Sequence, residues 1–234
     1  MKSLIKKILN KFGLDIIKLE KVSSSDNPYS QLSKENHEII DIEMLGKMSL
    51  TIPGMITPQA GKFLYALCYM QNIKGDVVEI GSWQGRSSTF LARAVKESKN
   101  GNFYAIDHFG GNVGKESFYK VEGTLNGLKD NFNHNISKFG LSDVVHLLDM
   151  HTTEAAKQLE ENTIRFLFID GDHTKEGVRR DIELFFPRLI KGSIIVFDDY
   201  FDGFPGLVES VDELFAQYTF DKVFYHRHTL VVQL

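Results

Sequence analysis

Apolar and polar positions alternate in two different rhythms along this chain. From Asp76 onward, short β-rich runs are separated by segments with helical spacing. The runs are VVEI (77–80), FYAI (103–106), VVHLL (144–148), IRFLFI (164–169), SIIVF (193–197), KVFY (222–225) and TLVVQL (229–234). Between them, apolar residues recur every three to four positions near 85–97, 124–139, 152–161, 174–190 and 206–217, which predicts helices. Strict alternation of this kind predicts an α/β protein with a mostly parallel, doubly wound sheet covered by helices on both faces. Only His226–His228 separate the last two runs. That is too short for a parallel crossover, so these two strands are expected to form an antiparallel hairpin at the sheet edge.

Upstream, Thr57-Pro58 reads as a helix start, with threonine as N-cap and proline in the first turn, leading through FLYALCYMQ. A short helical stretch is expected around 39–48, after a polar linker, SSSDNPYSQLSKEN (23–36). The division that follows is an extension over 1–56, comprising an amphipathic helix, the linker and the short helical stretch, and a main domain over 57–234.

Charge changes the picture only at the N-terminus. The 234 residues carry a net charge of −4, so nothing global points to nucleic acid. Within residues 1–21, six lysines against Asp15 and Glu20 give +4, which leaves −8 for the rest. Leu4, Ile5, Ile8, Leu9 and Phe12 sit at helical spacing between those lysines. The segment lacks the apolar run of a signal peptide or a membrane span. It suits a helix docked on its own domain or on a second copy in a homo-oligomer, or a weak contact with an anionic membrane surface. The single cysteine, Cys68, lies in an apolar stretch and fits a buried thiol in a reducing, cytoplasmic setting.

The chemistry concentrates where the predicted strands end. In an open α/β sheet, ligands bind outside the C-terminal ends of the strands. Those ends carry Glu79 with Gly81, Asp107, Asp149 with Met150, Asp170 to His173, and Asp198 with Asp199. In VVEIGSWQGRSS, Gly81 and Gly85 permit close backbone approach, and Ser82, Ser87 and Ser88 offer hydroxyls near a helix entrance. The Gly-x-x-x-Gly spacing lacks the third glycine of a dinucleotide site. Asp107, closing the second strand, can accept hydrogen bonds from the two hydroxyls of a ribose.

These residues resemble class I S-adenosylmethionine-dependent methyltransferases over roughly 57–234. VVEIGSWQG is similar to their first motif, AID to their second-strand acid and LLDM to their adenine-side turn. The resemblance implies a Rossmann-like sheet of seven strands. It implies that Glu79, Gly81, Ser82, Gly85 and Ser87 line the methionine end of the cofactor, Asp107 the ribose, and Asp149 with Met150 the adenine. Trp83 is more often a packing residue than a stacking one.

Three acids on two neighbouring strands, Asp170, Asp198 and Asp199, repel one another unless a cation sits among them. All-oxygen ligands suit Mg²⁺. The pattern is similar to metal-dependent O-methyltransferases acting on sugars and glycosides, as in polysaccharide pathways. There a sugar hydroxyl needs both a cation and a base. His173 is the first candidate for that base, Asp172 the second and Lys175 a distant third. Two rivals remain open at this point. One is a haloacid dehalogenase-like phosphatase, whose Asp-x-Asp-x-Thr signature matches Asp170, Asp172 and Thr174. The other is an inactive methyltransferase-fold subunit that binds a partner.

Overall fold

A computed structural model describes residues 41–111 and 126–234. The expectations for the N-terminal basic helix and linker therefore lie outside the described residues. From Ile42 to Leu234 the chain forms one compact unit. Among the described residues, no helix is long and apolar enough to cross a membrane.

In chain order the elements are α1 (Ile42–Ser49), α2 (Pro58–Met70), β1 (Asp76–Ile80), α3 (Arg86–Ser98), β2 (Phe103–Ile106) and α4 (Leu128–Lys138). They continue as β3 (Val145–Leu148), α5 (Thr152–Ala156), β4 (Ile164–Ile169), α6 (Lys175–Phe185), β5 (Leu189–Phe197), α7 (Pro205–Gln217), β6 (Lys222–His226) and β7 (Thr229–Gln233). The seven strands make one sheet in the order β3-β2-β1-β4-β5-β7-β6. β1 to β5 pair in parallel, whereas β7 runs antiparallel to both β5 and β6. Strand order reverses between β1 and β4, which opens a crevice at their C-terminal ends.

Local chemistry accounts for most boundaries. Thr57 caps α2 by accepting from the Ala60 amide at 3.2 Å, with Pro58 in the first turn. α6 stops at Phe185, earlier than the periodicity suggests, because Pro187 cannot supply the next i→i−4 donor; a 3₁₀ turn over Phe186–Arg188 follows. α5 is also shorter than expected. After Ala156 the amides of Lys157, Gln158 and Leu159 bond three residues back rather than four. The Arg188 Nε donates to the carbonyls of Ala156 and Leu159 (2.9 and 3.2 Å), which satisfies that end. β5 begins at Leu189, four residues before the expected start, because the chain passes through Gly192 at φ +83 and still pairs with β4.

Both faces of the sheet are packed. On one side Val78, Ile80, Ile106, Leu167, Ile169 and Phe197 meet Ala155, Val178, Phe185, Leu207 and Val211 from α5, α6 and α7. Val77, Phe103, Phe166 and Phe168 are equally buried, as are Leu64, Phe90 and Leu91 on α2 and α3.

One core residue is unexpected. Arg165, the second residue of β4, is fully buried. Against β1 the ladder passes from Asp76–Ile164 to Val77–Phe166, so Arg165 is the extra residue of a bulge there, while against β5 the register also breaks, between Leu189 and Ile194. Its guanidinium donates to the carbonyls of Gly75 (3.0 Å), Cys68 (2.8 Å) and Asn100 (3.2 Å), and to Gln71 Oε1 (3.2 Å). The Gln71 amide returns a bond to the Arg165 carbonyl at 2.8 Å. This fork ties the end of α2 and the entries to β1 and β2 to the centre of the sheet. Cys68 is buried beside it, and burial pushes its thiol up to about 11, in keeping with an inert side chain.

Candidate active site

The turns after β1 and β4 touch at the switch point. Gly81 adopts φ +87, and a Cβ there would lie 2.1 Å from the Asp170 carbonyl, so only glycine fits. The Asp170 amide in turn donates to the Ile80 carbonyl at 2.9 Å. The loop after Gly81 is folded by Asp107 at the end of β2. Asp107 Oδ2 accepts from the amides of Ser82 (3.0 Å) and Trp83 (2.8 Å), and Oδ1 accepts from the Phe109 amide (2.7 Å). A carboxylate has about four acceptor positions, so Asp107 builds the loop and keeps one position on Oδ1 for a ligand.

Glu79 lies beneath this loop, fully buried. It accepts from the Ser88 hydroxyl, and Ser87 and Ser82 are buried around it. Burial pushes its carboxyl from 4.5 up to about 7; the three serine hydroxyls partly offset this, and the Asp107 charge adds to it. The native protein holds this proton up to about pH 7, whereas the unfolded chain releases it near 4.5. Between those values the native state binds more protons, so the metal-free protein loses stability as pH rises, by an amount on the order of 2–3 kcal/mol from this group. Glu79→Gln should flatten that fall when unfolding by urea is followed from pH 4.5 to 7.5 in EDTA. Parallel curves for the two proteins would exclude Glu79 as the source.

A cleft opens beside the loop, lined by Ile80, Gly81, Ile106, Asp107, Met150 and Asp172 among others. Of the expected cofactor residues, Gly81, Asp107 and Met150 therefore face one cavity. Glu79, Ser82 and Ser87 lie under its floor, and Gly85 begins α3 against Phe132. Asp149 turns outward and pairs with Lys129 at 2.7 Å. The cleft also takes in residues that the sequence reading did not single out. His108 and His151 stack at 4.6 Å along it, and Thr152, Arg180 and Asp181 line its wall. A signal for Asp181 exists in the periodicity: it shares the buried face of α6 with Val178 and Phe185, where an apolar residue is expected.

Next to the cleft, the ends of β4 and β5 bring acids together. One ligating atom each from Asp170, His173 and Asp199 lies within 4.8 Å of the others, and His173 Nε2 stands 3.8 Å from both Asp170 Oδ1 and Asp199 Oδ2. Burial holds Asp170 well above the usual carboxylate range, and the charges of Asp198, Asp199, Glu79 and Asp107 push it further. Asp198 is raised by burial as well, and its Oδ1 accepts from the Thr229 hydroxyl at 2.9 Å. Asp199 adopts φ +55, a left-handed conformation that aspartate tolerates better than most residues. The His173 ring stacks on Phe204 at 4.4 Å, which fixes its plane.

The other candidate bases are engaged elsewhere. Asp172 accepts from the Thr174 amide and hydroxyl, both at 3.0 Å, and that hydroxyl caps α6 by accepting from the Gly177 amide. Lys175 pairs with Glu209 (3.0 Å) and Glu213 (2.8 Å) on α7.

Comparison with known proteins agrees with this architecture. The O-methyltransferase NovP superposes with a TM-score of 0.67 at 20% identity, covering 77% of this chain and 81% of that one. An O-methyltransferase from Bacillus cereus, solved with S-adenosylhomocysteine, gives 0.60 at 18% identity over 87% of this chain and 96% of that one. TomG of Streptomyces achromogenes, an O-methyltransferase of tomaymycin synthesis solved with S-adenosylmethionine, gives 0.58 at 15% identity over 93% and 99%. An uncharacterised protein of Acanthamoeba polyphaga mimivirus is 32% identical over 130 residues, 53% of this chain and 51% of that protein, so the chain spans about half the length of this curated relative. The family profile described as a methyltransferase domain matches residues 78–200, more than half of the 234. With the seven-stranded sheet and its antiparallel β7, that match establishes that the chain belongs to the methyltransferase domain family, in the class I S-adenosylmethionine-dependent fold.

Proposed function

We propose that this protein transfers a methyl group from S-adenosylmethionine to a hydroxyl of a sugar or glycoside, with Mg²⁺ or a similar divalent cation held beside the acceptor. The observation that carries the reading is the meeting of Asp170, His173 and Asp199 next to the Gly171-Asp172 turn, which lines a cleft together with Gly81 and Asp107. The donor set fits a cation. Two carboxylates and an imidazole converge, and Asp170 is crowded by negative neighbours that a positive charge would relieve. With Asp198 completing an all-oxygen set, Mg²⁺ is favoured; with His173 as a ligand, Mn²⁺ or another imidazole-binding ion is equally suited. The cleft fits the cofactor, since Gly81 leaves its backbone accessible, Ile80, Ile106 and Met150 give apolar walls, and Asp107 keeps an acceptor for a ribose hydroxyl.

S-adenosylmethionine supplies an electrophilic methyl group, and a bound cation supplies the charge that makes a hydroxyl easier to ionise. This chain's residues do the rest. The stack on Phe204 orients His173; in the arrangement where Asp170, Asp198 and Asp199 hold the cation, its imidazole takes the acceptor's proton at Nε2. Asp172, tied to Thr174, holds the DGDHT turn in shape. Tyr200, Phe201 and Phe204 offer aromatic faces for a sugar ring. The extension over 1–56, a homo-oligomeric state and a weak membrane-surface contact of residues 1–21 belong to the same proposal. The test is calorimetry with S-adenosylhomocysteine, followed by a mass-spectrometric screen of glycan and nucleotide-sugar acceptors for the mass of one added methylene. Absence of binding would overturn the methyltransferase reading. Methylation of phenols alone would overturn the sugar.

A further inference from the structure

Three exposed apolar side chains stand next to one another on one strand. Val223, Phe224 and Tyr225 are 46%, 42% and 54% exposed, and every residue of β6 is exposed. β6 is also the sheet edge: it pairs with β7 on one side, and among the described residues no strand pairs with it on the other. Edge strands are commonly blunted by proline, by charge or by a bulge. Here a lysine stands only at the first position, and Val-Phe-Tyr follows it.

The hairpin fixes which backbone groups this edge presents. Only Arg227 and His228 form its turn, so His226 and Thr229 close it as a hydrogen-bonded pair. Bonded and open pairs alternate along an antiparallel ladder. Phe224 therefore bonds toward β7, whereas Val223 and Tyr225 turn their N–H and C=O groups outward. Aromatic contacts steady the strand from both faces. Phe224 meets Phe63 of α2 edge-on at 5.6 Å, and Tyr225 meets Tyr200 at 6.2 Å.

The sequence of this edge is complementary to itself. It reads Asp-Lys-Val-Phe-Tyr-His-Arg over 221–227. Turned antiparallel about Phe224, a second copy sets Asp221 against Arg227 at both ends, Lys222 against the imidazole of His226, and Val223 against Tyr225. The outward groups of Val223 and Tyr225 then bond each other, and the two Phe224 residues form an open pair on the two-fold axis. Asp221 and Arg227 are both exposed, so their opposite charges are available to that pairing. A slip of one residue sets outward groups against inward ones and loses the match.

We infer that β6 is the surface through which two copies of this chain join, antiparallel about Phe224, so that their sheets become continuous. Such a contact is isologous and closes as a dimer. It gives the proposed homo-oligomeric state a definite surface and is independent of the methyl-transfer reading.

Phe224→Cys tests the register directly. Open antiparallel pairs hold their Cα atoms about 4.5 Å apart, within disulfide range. The native Cys68 is buried, which leaves the new thiol as the one an oxidant reaches. The full-length variant should cross-link to a dimer on mild oxidation. Lys222→Cys, separated from its own copy by four residues of strand or about 13 Å, should not. In sedimentation equilibrium, Asp221→Arg should weaken the wild-type dimer by about tenfold, because it sets like charges together at both ends. Arg227→Asp should do the same and serves as the second variant, and combining the two substitutions should restore the dimer. A wild-type chain that stays monomeric at about 100 μM would overturn the inference. So would a dimer that both single variants leave unchanged, a double variant that fails to regain it, or cross-linking by Lys222→Cys but not by Phe224→Cys. S-adenosylhomocysteine binding should be the same in all these variants, since β6 does not line the cleft. Its absence in the wild-type protein would overturn the methyltransferase reading alone.

Discussion

Replacing His173 with alanine is expected to slow methyl transfer by about 10²–10⁴-fold, the usual scale for loss of a general base, with cofactor affinity nearly unchanged. The imidazole lies in the acid cluster, and its ring plane is set by Phe204. The cleft proposed for the cofactor is lined from β1, β2, α5, α6 and the Gly171-Asp172 turn, and His173 itself is not in that lining, so binding there should survive the change. The rate loss should shrink as pH rises, because hydroxide and a more ionised acceptor replace the missing base. Chelation by EDTA should abolish turnover in the wild-type protein, and Asp199→Asn should act similarly by removing ligand charge. Metal titration separates the two roles open to His173. A base leaves cation affinity nearly intact in His173→Ala, whereas a ligand lowers it together with the rate. Full activity in excess EDTA would remove the cation from the mechanism. A wild-type rate for His173→Ala across pH 6–9 would return the base to Asp172, against the hydrogen bonds that Thr174 makes to both of its oxygens.

The largest effect on stability is expected at Arg165. Arg165→Met should destabilise the fold by about 3–5 kcal/mol, the range for removing one partner from a buried, hydrogen-bonded charged cluster. Methionine fills much of the volume but leaves the carbonyls of Cys68, Gly75 and Asn100 without their guanidinium donors. Arg165→Lys should lie in between, because an ammonium keeps the charge but cannot reach all four acceptors with a planar fork. Denaturant unfolding measures both, and a loss below about 1 kcal/mol for Arg165→Met would show that water replaces the fork at little cost. Asp170, His173 and Asp199 lie beyond the opposite, C-terminal end of β4, so a folded Arg165→Lys protein should match the wild type in the proposed cation binding.

The repeated exchange of β-rich runs for helical spacing was enough to predict the doubly wound sheet and its antiparallel edge. Those signals are local: side-chain period, the Thr57-Pro58 cap and the short His226–His228 connection each act within a few residues. The acids at the strand ends were legible for the same reason, since a strand that stops at the crevice ends in a polar residue. What each acid does was decided by partners distant in sequence. Asp107 meets the amides of Ser82 and Trp83, Asp149 meets Lys129, and Asp198 meets Thr229. Glu79 was sealed under the loop by Ser88, whereas Asp181 was lifted onto the cleft wall by the phase of α6. Sequence specifies the kind of group and its local backbone, and therefore where a carboxylate can occur. Its solvation, charge neighbours and hydrogen-bond donors depend on through-space packing across the sheet, so only the tertiary structure separates a loop brace, a surface ion pair, a buried acid and a candidate ligand among side chains of identical chemistry.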